Sequence, residues 1–317
     1  MPPDAADALD HRFVNAGGLR FHVALAGPAD GPLLVLLHGF PEFWYSWRRQ
    51  IGPLAAAGWR VAVPDQRGYN LSDKPRGRGA YRIDTLADDV LAIAEALGHR
   101  RFALAGHDWG GVVAWHLAGR NPERVRRAMV FNAPHPATLF RYALTHPSQL
   151  RRSWYIGFFQ LPWLPERGLA ADGFRTMARA LAGGRRKRDA FSAADIARYR
   201  AAWAQPGALT AMLNWYRAMP LSRGAAARAG RVTVPLELVW GDRDVALEPG
   251  LAEAGIALCD RGRVHHIPNA THWVQNDAPD EVNARMLAFF GPAAQAARDN
   301  GPASGPSSTI PAFQPSV

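Results

Sequence analysis

The sequence predicts an α/β protein: a mostly parallel sheet flanked by helices, with a helical insert (a lid) over the strand ends. Three observations predict it. Short apolar runs alternate with amphipathic stretches through the first 131 residues, the pattern of strand–helix–strand units. The run Leu33-Leu34-Val35-Leu36-Leu37 is apolar at every position, as expected of a strand covered on both faces. Strand character then returns at 235–240 and 264–267 only after a long helical stretch rich in Trp, Tyr, Phe and Arg.

Taken in order, a Gly17-Gly18 turn leads into a strand at 21–25, followed by strands at 33–37 and 60–64. Apolar residues at Ile83, Leu86, Val90, Ile93 and Leu97 give a helical period. A strand at 101–105, a helix over 111–118 and a strand at 127–131 complete the first part. The alternation breaks at Asn132-Ala133-Pro134-His135-Pro136. The expected organisation is therefore a core formed by 1–136 and 231–291, with a lid domain at 137–230. Ligands of open parallel sheets bind at the strand ends that such an insert covers. The closing segment 292–317 is rich in Ala, Pro, Ser and Gly and is expected to be disordered.

Composition narrows the function. With 317 residues, 48% hydrophobic and 20% charged, the chain can bury a sizeable core and is not of the disordered class. The lone cysteine, Cys259, excludes an intramolecular disulfide and argues against a Cys-based zinc site. No long uncharged apolar run suggests a membrane span, and the first residues do not read as a signal peptide, so a cytoplasmic location is expected. The net charge is +10, but lysine occurs only at Lys74 and Lys187 and the arginines are scattered. The dense run Arg185-Arg186-Lys187-Arg188 reads as a solvated loop. Neither a nucleic acid nor a membrane partner is expected, and the chain is expected to be a monomer or homodimer.

The chemistry is concentrated in Gly106-His107-Asp108-Trp109-Gly110-Gly111, which follows a strand and opens a helix. Such an elbow presents a nucleophile on a tight turn. Here the residue at its tip is Asp108. A carboxylate there attacks carbon and leaves an alkyl ester, whose hydrolysis needs a base. His272, in Thr271-His272-Trp273, follows the last predicted strand, and Asp242 and Asp244 follow the one before it. The order nucleophile, acid, histidine suits a base whose ring is oriented by a carboxylate. After the strand at 33–37, His38-Gly39-Phe40-Pro41-Glu42 places the Phe40 amide beside that of Trp109, a pair suited to an oxyanion.

These motifs, together with Asp65-Gln66-Arg67-Gly68-Tyr69 and Gly241-Asp242-Arg243-Asp244, resemble the α/β-hydrolase-fold epoxide hydrolases over about residues 12–291. The resemblance implies Asp108 as nucleophile, His272 as base and Asp244 as its acid, with Asp242 the alternative. It also implies two lid tyrosines that hold the epoxide oxygen. Leu213-Asn214-Trp215-Tyr216-Arg217 supplies Tyr216, and Trp154-Tyr155-Ile156-Gly157-Phe158-Phe159-Gln160 supplies Tyr155. Glu42, with His38, is implied to position the water, and Phe40, Trp109, Phe159 and Trp273 to line the substrate site, with Trp44 and Trp47 as further walls. The implied substrate is a small apolar epoxide, the product is a vicinal diol, and neither metal nor organic cofactor is called for. The nearest rival resemblance is to haloalkane or haloacid dehalogenases. Phe40 lacks the side-chain donor a halide needs, and Trp109 stands where fluoroacetate dehalogenases carry Arg. A non-catalytic ligand-binding protein of the same fold is the remaining alternative.

Overall fold

The computed structural model describes residues 9–182, 190–222, 224 and 230–293. The basic run at 185–188, the first eight residues and the tail beyond 293 lie outside the described residues.

Eight strands form one sheet: β1 (Asp10–Ala16), β2 (Leu19–Ala26), β3 (Leu33–Leu37), β4 (Arg60–Pro64), β5 (Phe102–His107), β6 (Val125–Phe131), β7 (Leu236–Gly241) and β8 (Gly262–Ile267). Their order across the sheet is β1-β2-β4-β3-β5-β6-β7-β8. The β1–β2 and β2–β4 pairings are antiparallel, and every pairing from β4 to β8 is parallel. Strands β3, β5 and β7 are buried at every position, which accounts for their near-continuous apolar sequences. The helices Ile83–Ala96 and Trp109–Arg120 bury their apolar faces, including Leu86, Val90, Ile93 and Val113, in the core.

The strand order positions the site. From β3 the chain passes to β4 on one side, then crosses back to lay β5 on the other, with Leu37 beside Gly106. At such a reversal the connections leave in opposite directions and open a crevice at the carboxyl ends of the strands. The turns after β3 and β5 meet there, and these turns contain Phe40 and Asp108.

Strand β1 and the helices Ile51–Ala56, Gly250–Ile256 and Pro279–Phe290 are additions to the predicted elements. β1 is an edge strand exposed along most of its length, so its sequence carries no buried apolar run. It pairs with β2 across the two-residue Gly17-Gly18 turn. Both glycines have positive φ, 57° and 78°, as the tightest hairpin turns require.

Between β6 and β7 the described residues contain helices and no strand. Hydrogen bonds fasten this segment over the strand ends, and three involve buried aromatic side chains on either side of the junction. The Trp203 indole donates to the Pro41 carbonyl, the Trp215 indole to the Arg67 carbonyl at 3.0 Å, and the Tyr45 hydroxyl to Asp195 at 2.8 Å. No helix among the described residues is long and apolar enough to cross a membrane.

Candidate active site

Asp108 sits between β5 and the helix Trp109–Arg120 with φ 50° and ψ −120°. A non-glycine residue in such a conformation is strained by about 1–3 kcal/mol. Its surroundings hold it there: its amide donates to the Phe131 carbonyl at 3.1 Å and its carbonyl accepts from Val112 at 2.9 Å. A side chain at Gly106 or Gly110 would strike backbone, the Gly110 carbonyl or those of Leu37 and His38 respectively. A side chain at Gly39 would strike Asp108 itself. The glycines of both motifs are therefore required by close approach.

The two oxygens of Asp108 differ. Oδ1 accepts a hydrogen bond from the Phe40 amide at 2.8 Å, and the Trp109 amide heads the adjoining helix. Oδ2 lies 3.4 Å from His272 Nε2. His272 Nδ1 stands 2.6 Å from Asp244 Oδ2. Asp244 is fixed by further donors, the Asn132 side-chain amide at 2.8 Å and the backbone amides of Ala246 and Leu247 at 2.8 and 3.0 Å. Of the two acids left open by the sequence, Asp244 faces His272, whereas Asp242 pairs with His266 at 2.6 Å.

The electrostatics follow from this geometry. Burial alone would lower the His272 pKa, but the carboxylates of Asp244 and Asp108 outweigh burial and hold it well above the ordinary histidine value. Burial likewise pushes Asp108 up, and His272, His107 and the Phe40 amide bring it below the usual carboxylate range. Asp244 is below that range for the same kind of reason: burial raises it and His272 and Asn132 prevail. The resting site is thus an imidazolium between two carboxylates.

A cavity of about 520 Å³ opens over Asp108 and is lined by Trp109, Tyr155, Trp215 and Tyr216. The rings of Tyr155 and Tyr216 are 5.9 Å apart. Two hydrogen bonds tie their segments together: Gln160 donates to the Tyr216 carbonyl at 3.0 Å and Arg217 to the Phe159 carbonyl at 2.9 Å. Burial, reinforced by the Asp108 carboxylate, holds both phenols above their ordinary pKa. Phe40 and Phe159 pack on Tyr216 at 5.3 and 4.9 Å.

The remaining expected residues divide. Glu42 is buried, 2.7 Å from His107 Nδ1, and accepts from Gln275 at 3.4 Å. His107 Nε2 is 2.8 Å from the His272 carbonyl. A carbonyl only accepts, so Nε2 carries hydrogen, and Nδ1 and Glu42 share one proton. His38 spends both ring nitrogens on the turn, one on the Gly39 carbonyl and the other accepting from the Gln66 amide, so its ring braces the β3 and β4 ends instead of offering a site for water. Trp273 packs on His272 at 4.8 Å. Trp44 and Trp47 are buried in the core and lie outside the cavity lining, as do Phe40, Phe159 and Trp273, so of the four expected substrate-site walls the lining includes Trp109.

Comparison with known proteins places the chain in a family. Residues 32–279 match the alpha/beta hydrolase fold family. The AB hydrolase superfamily protein YfhM of Bacillus subtilis is 46% identical over 90% of this chain and 99% of its own. Epoxide hydrolase 4 of Homo sapiens is 39% identical over 87% of this chain and 77% of its own. Among solved structures, the Bacillus megaterium epoxide hydrolase in complex with an inhibitor superposes with a TM-score of 0.80. It is 30% identical and covers 88% of this chain and 99% of that one. The chain belongs to the α/β-hydrolase-fold epoxide hydrolase family.

Within this epoxide hydrolase family chain, the sequence reading assigned no role to Asn132 and His107. Asn132 ends β6 with φ 38°, accepts from the Gly241 amide at 2.8 Å and donates to Asp244. It therefore locks the β6 and β7 ends together and presents the acid to His272. The break at Asn132-Ala133-Pro134 was the only sequence signal. The cavity walls Leu139 and Met219 also escaped, because apolar residues in a helical segment do not reveal which side faces a site, and Leu247 escaped in the turn after β7.

Proposed function

We propose that this protein is an epoxide hydrolase that opens its substrate through an alkyl ester on Asp108, with residues 137–230 serving as the lid. The observation that supports this reading best is that one cavity is lined by a carboxylate and two tyrosines, with His272 3.4 Å behind that carboxylate.

In this reading each step falls to a named group. Asp108 Oδ1 is occupied by the Phe40 amide, so Oδ2 attacks the epoxide carbon and the carbon–oxygen bond breaks. The departing alkoxide is a stronger base than a phenolate and takes a proton from Tyr155 or Tyr216. Alkylation removes the charge of Asp108, one of the two that hold His272 protonated. The ring then loses its proton, which restores the tyrosine, and becomes a base. Neutral His272 takes a proton from water, whose oxygen attacks the carbonyl carbon of the Asp108 ester. The oxyanion forms on Oδ1, where the Phe40 and Trp109 amides receive it. Collapse breaks the bond between the carbonyl carbon and Oδ2, the leaving alkoxide takes the proton of the added hydroxyl to give the vicinal diol, and the Asp108 carboxylate beside protonated His272 returns with one water oxygen in it.

The dehalogenase alternative needs two side-chain donors for a halide, and Phe40 supplies none. A screen of styrene-type and aliphatic epoxides for diol formation tests the proposal, with His272→Gln as the diagnostic variant. The expected result is diol from the native enzyme, and in the variant a stable mass increase equal to the substrate. Chloride release from haloalkanes with epoxides untouched overturns it.

A further inference from the structure

From 124 to 165 the sequence holds no Asp or Glu, while Arg124, Arg126, Arg127, Arg141, Arg151 and Arg152 fall within it. Seven of the eleven exposed large apolar side chains among the described residues lie at 140–164. Leu144 is 84% exposed and Trp154 67%, with Leu150 and Trp163 close behind. Singly scattered apolar residues are ordinary on a surface, but such a concentration marks an interaction face. Phe140, Leu144, Leu150 and Trp154 ride on consecutive short helices, Leu139–Thr145, Pro147–Arg152 and Trp154–Phe158, each touching the next, and Leu161, Trp163 and Leu164 follow directly after them.

We propose that the outer face of segment 139–164 docks on an anionic lipid–water interface, with the cavity mouth opening onto it. Two tryptophans are exposed there, and Trp is the side chain that favours the headgroup level of a bilayer. The charge selects the occupant. Arg141 and Arg151 are exposed, and exposed Arg167 stacks over the Trp163 ring at 5.9 Å. The nearby Glu166 is turned inward to Arg217 at 2.6 Å. A second copy of the same face would meet it with like charge, whereas anionic headgroups complement it. The cavity joins the face to the chemistry: Phe140 and Arg141 are exposed and also line the cavity that ends on Asp108. An apolar solute dissolved in lipid enters there without crossing bulk water. Such docking lays short helices in the interface plane and needs no spanning helix, so it is compatible with the absence of one among the described residues.

The test is co-sedimentation of the full chain with phosphatidylglycerol/phosphatidylcholine vesicles and with phosphatidylcholine vesicles alone. Binding is read without turnover, so its result is independent of the proposed reaction. The expected result is capture by the anionic vesicles only, weakened by added salt. The double variant Arg151→Glu with Arg167→Glu should bind at least about twenty-fold more weakly, each lost arginine being worth about fivefold. Leu144→Ser with Trp163→Ser should also lose binding, and both variants should keep the native thermal melting profile. Three results overturn the proposal: native protein left in solution with anionic vesicles, folded variants that sediment as the native chain does, or a dimer in sedimentation equilibrium that Leu144→Ser with Trp163→Ser abolishes while vesicles capture nothing.

Discussion

Replacing Asp244 by Asn removes one charge from the buried line Asp108–His272–Asp244 and leaves the shape almost unchanged. The carboxylate stands 2.6 Å from His272 Nδ1. Opposite charges about 4 Å apart attract by about 4 kcal/mol at an effective dielectric near 20, so losing one of the two carboxylates that hold the His272 pKa up should lower it. The amide also meets too many donors: Asn132, Ala246 and Leu247 already point at this side chain, so the NH₂ group faces either one of them or His272. Ring orientation is lost along with charge. Asp→Asn in a histidine triad costs on the order of 10⁴ in turnover, and a loss of about 10³–10⁴ in ester hydrolysis is expected here. Attack on the epoxide, which needs Asp108 rather than a neutral base, should suffer less. Rapid mixing of Asp244→Asn with excess epoxide should therefore show a burst of alkylated enzyme, visible by intact-protein mass spectrometry, before slow turnover. Turnover within tenfold of the native enzyme, with no accumulated ester and an unmoved His272 titration by NMR, would refute the reasoning.

Tyr155→Phe and Tyr216→Phe should each slow alkylation by about a hundredfold, the low end of general-acid contributions, and leave hydrolysis of a preformed ester unchanged. Single-turnover kinetics with the two phases resolved would check this. His135 is buried, and burial pushes its pKa down to about 4. Between the unfolded value near 6.5 and that figure the unfolded chain binds the proton and the folded one does not. Stability should fall by about 3 kcal/mol as pH drops through this window, since each unit is worth about 1.4 kcal/mol. Urea melts from pH 7 to 4 should show the slope, and His135→Phe should flatten it.

The parts of the fold that could be read in advance were those whose environment leaves a mark on composition. Strand β3 reads as an unbroken apolar run and β5 and β7, also covered on both faces, as near-continuous ones. Strand β1 left none because it faces solvent. The site divides similarly. Asp108 and His272 sit in motifs whose glycines or order the chemistry demands, whereas Tyr155 and Tyr216 came only from the resemblance of their lid segments to epoxide hydrolases, and Gly39 can now be traced to the space Asp108 occupies. The choice between Asp242 and Asp244 depended on which side chain the turn after β7 directs at His272, and residue spacing does not contain that direction. Asn132 was hidden for the same reason, since its role is a hydrogen-bonded bridge between two strands distant in the chain. His38 lay in an informative motif, yet its ring serves the turn alone.

The central claim is that the Asp108 side chain becomes esterified and is released by attack of water on its own carbonyl carbon. It is tested most directly by a single turnover in water enriched in heavy oxygen, followed by mass analysis of the peptide containing Asp108. The account predicts one heavy oxygen in that carboxylate and none in the first diol formed. Label in the diol with an unlabelled Asp108 would contradict it.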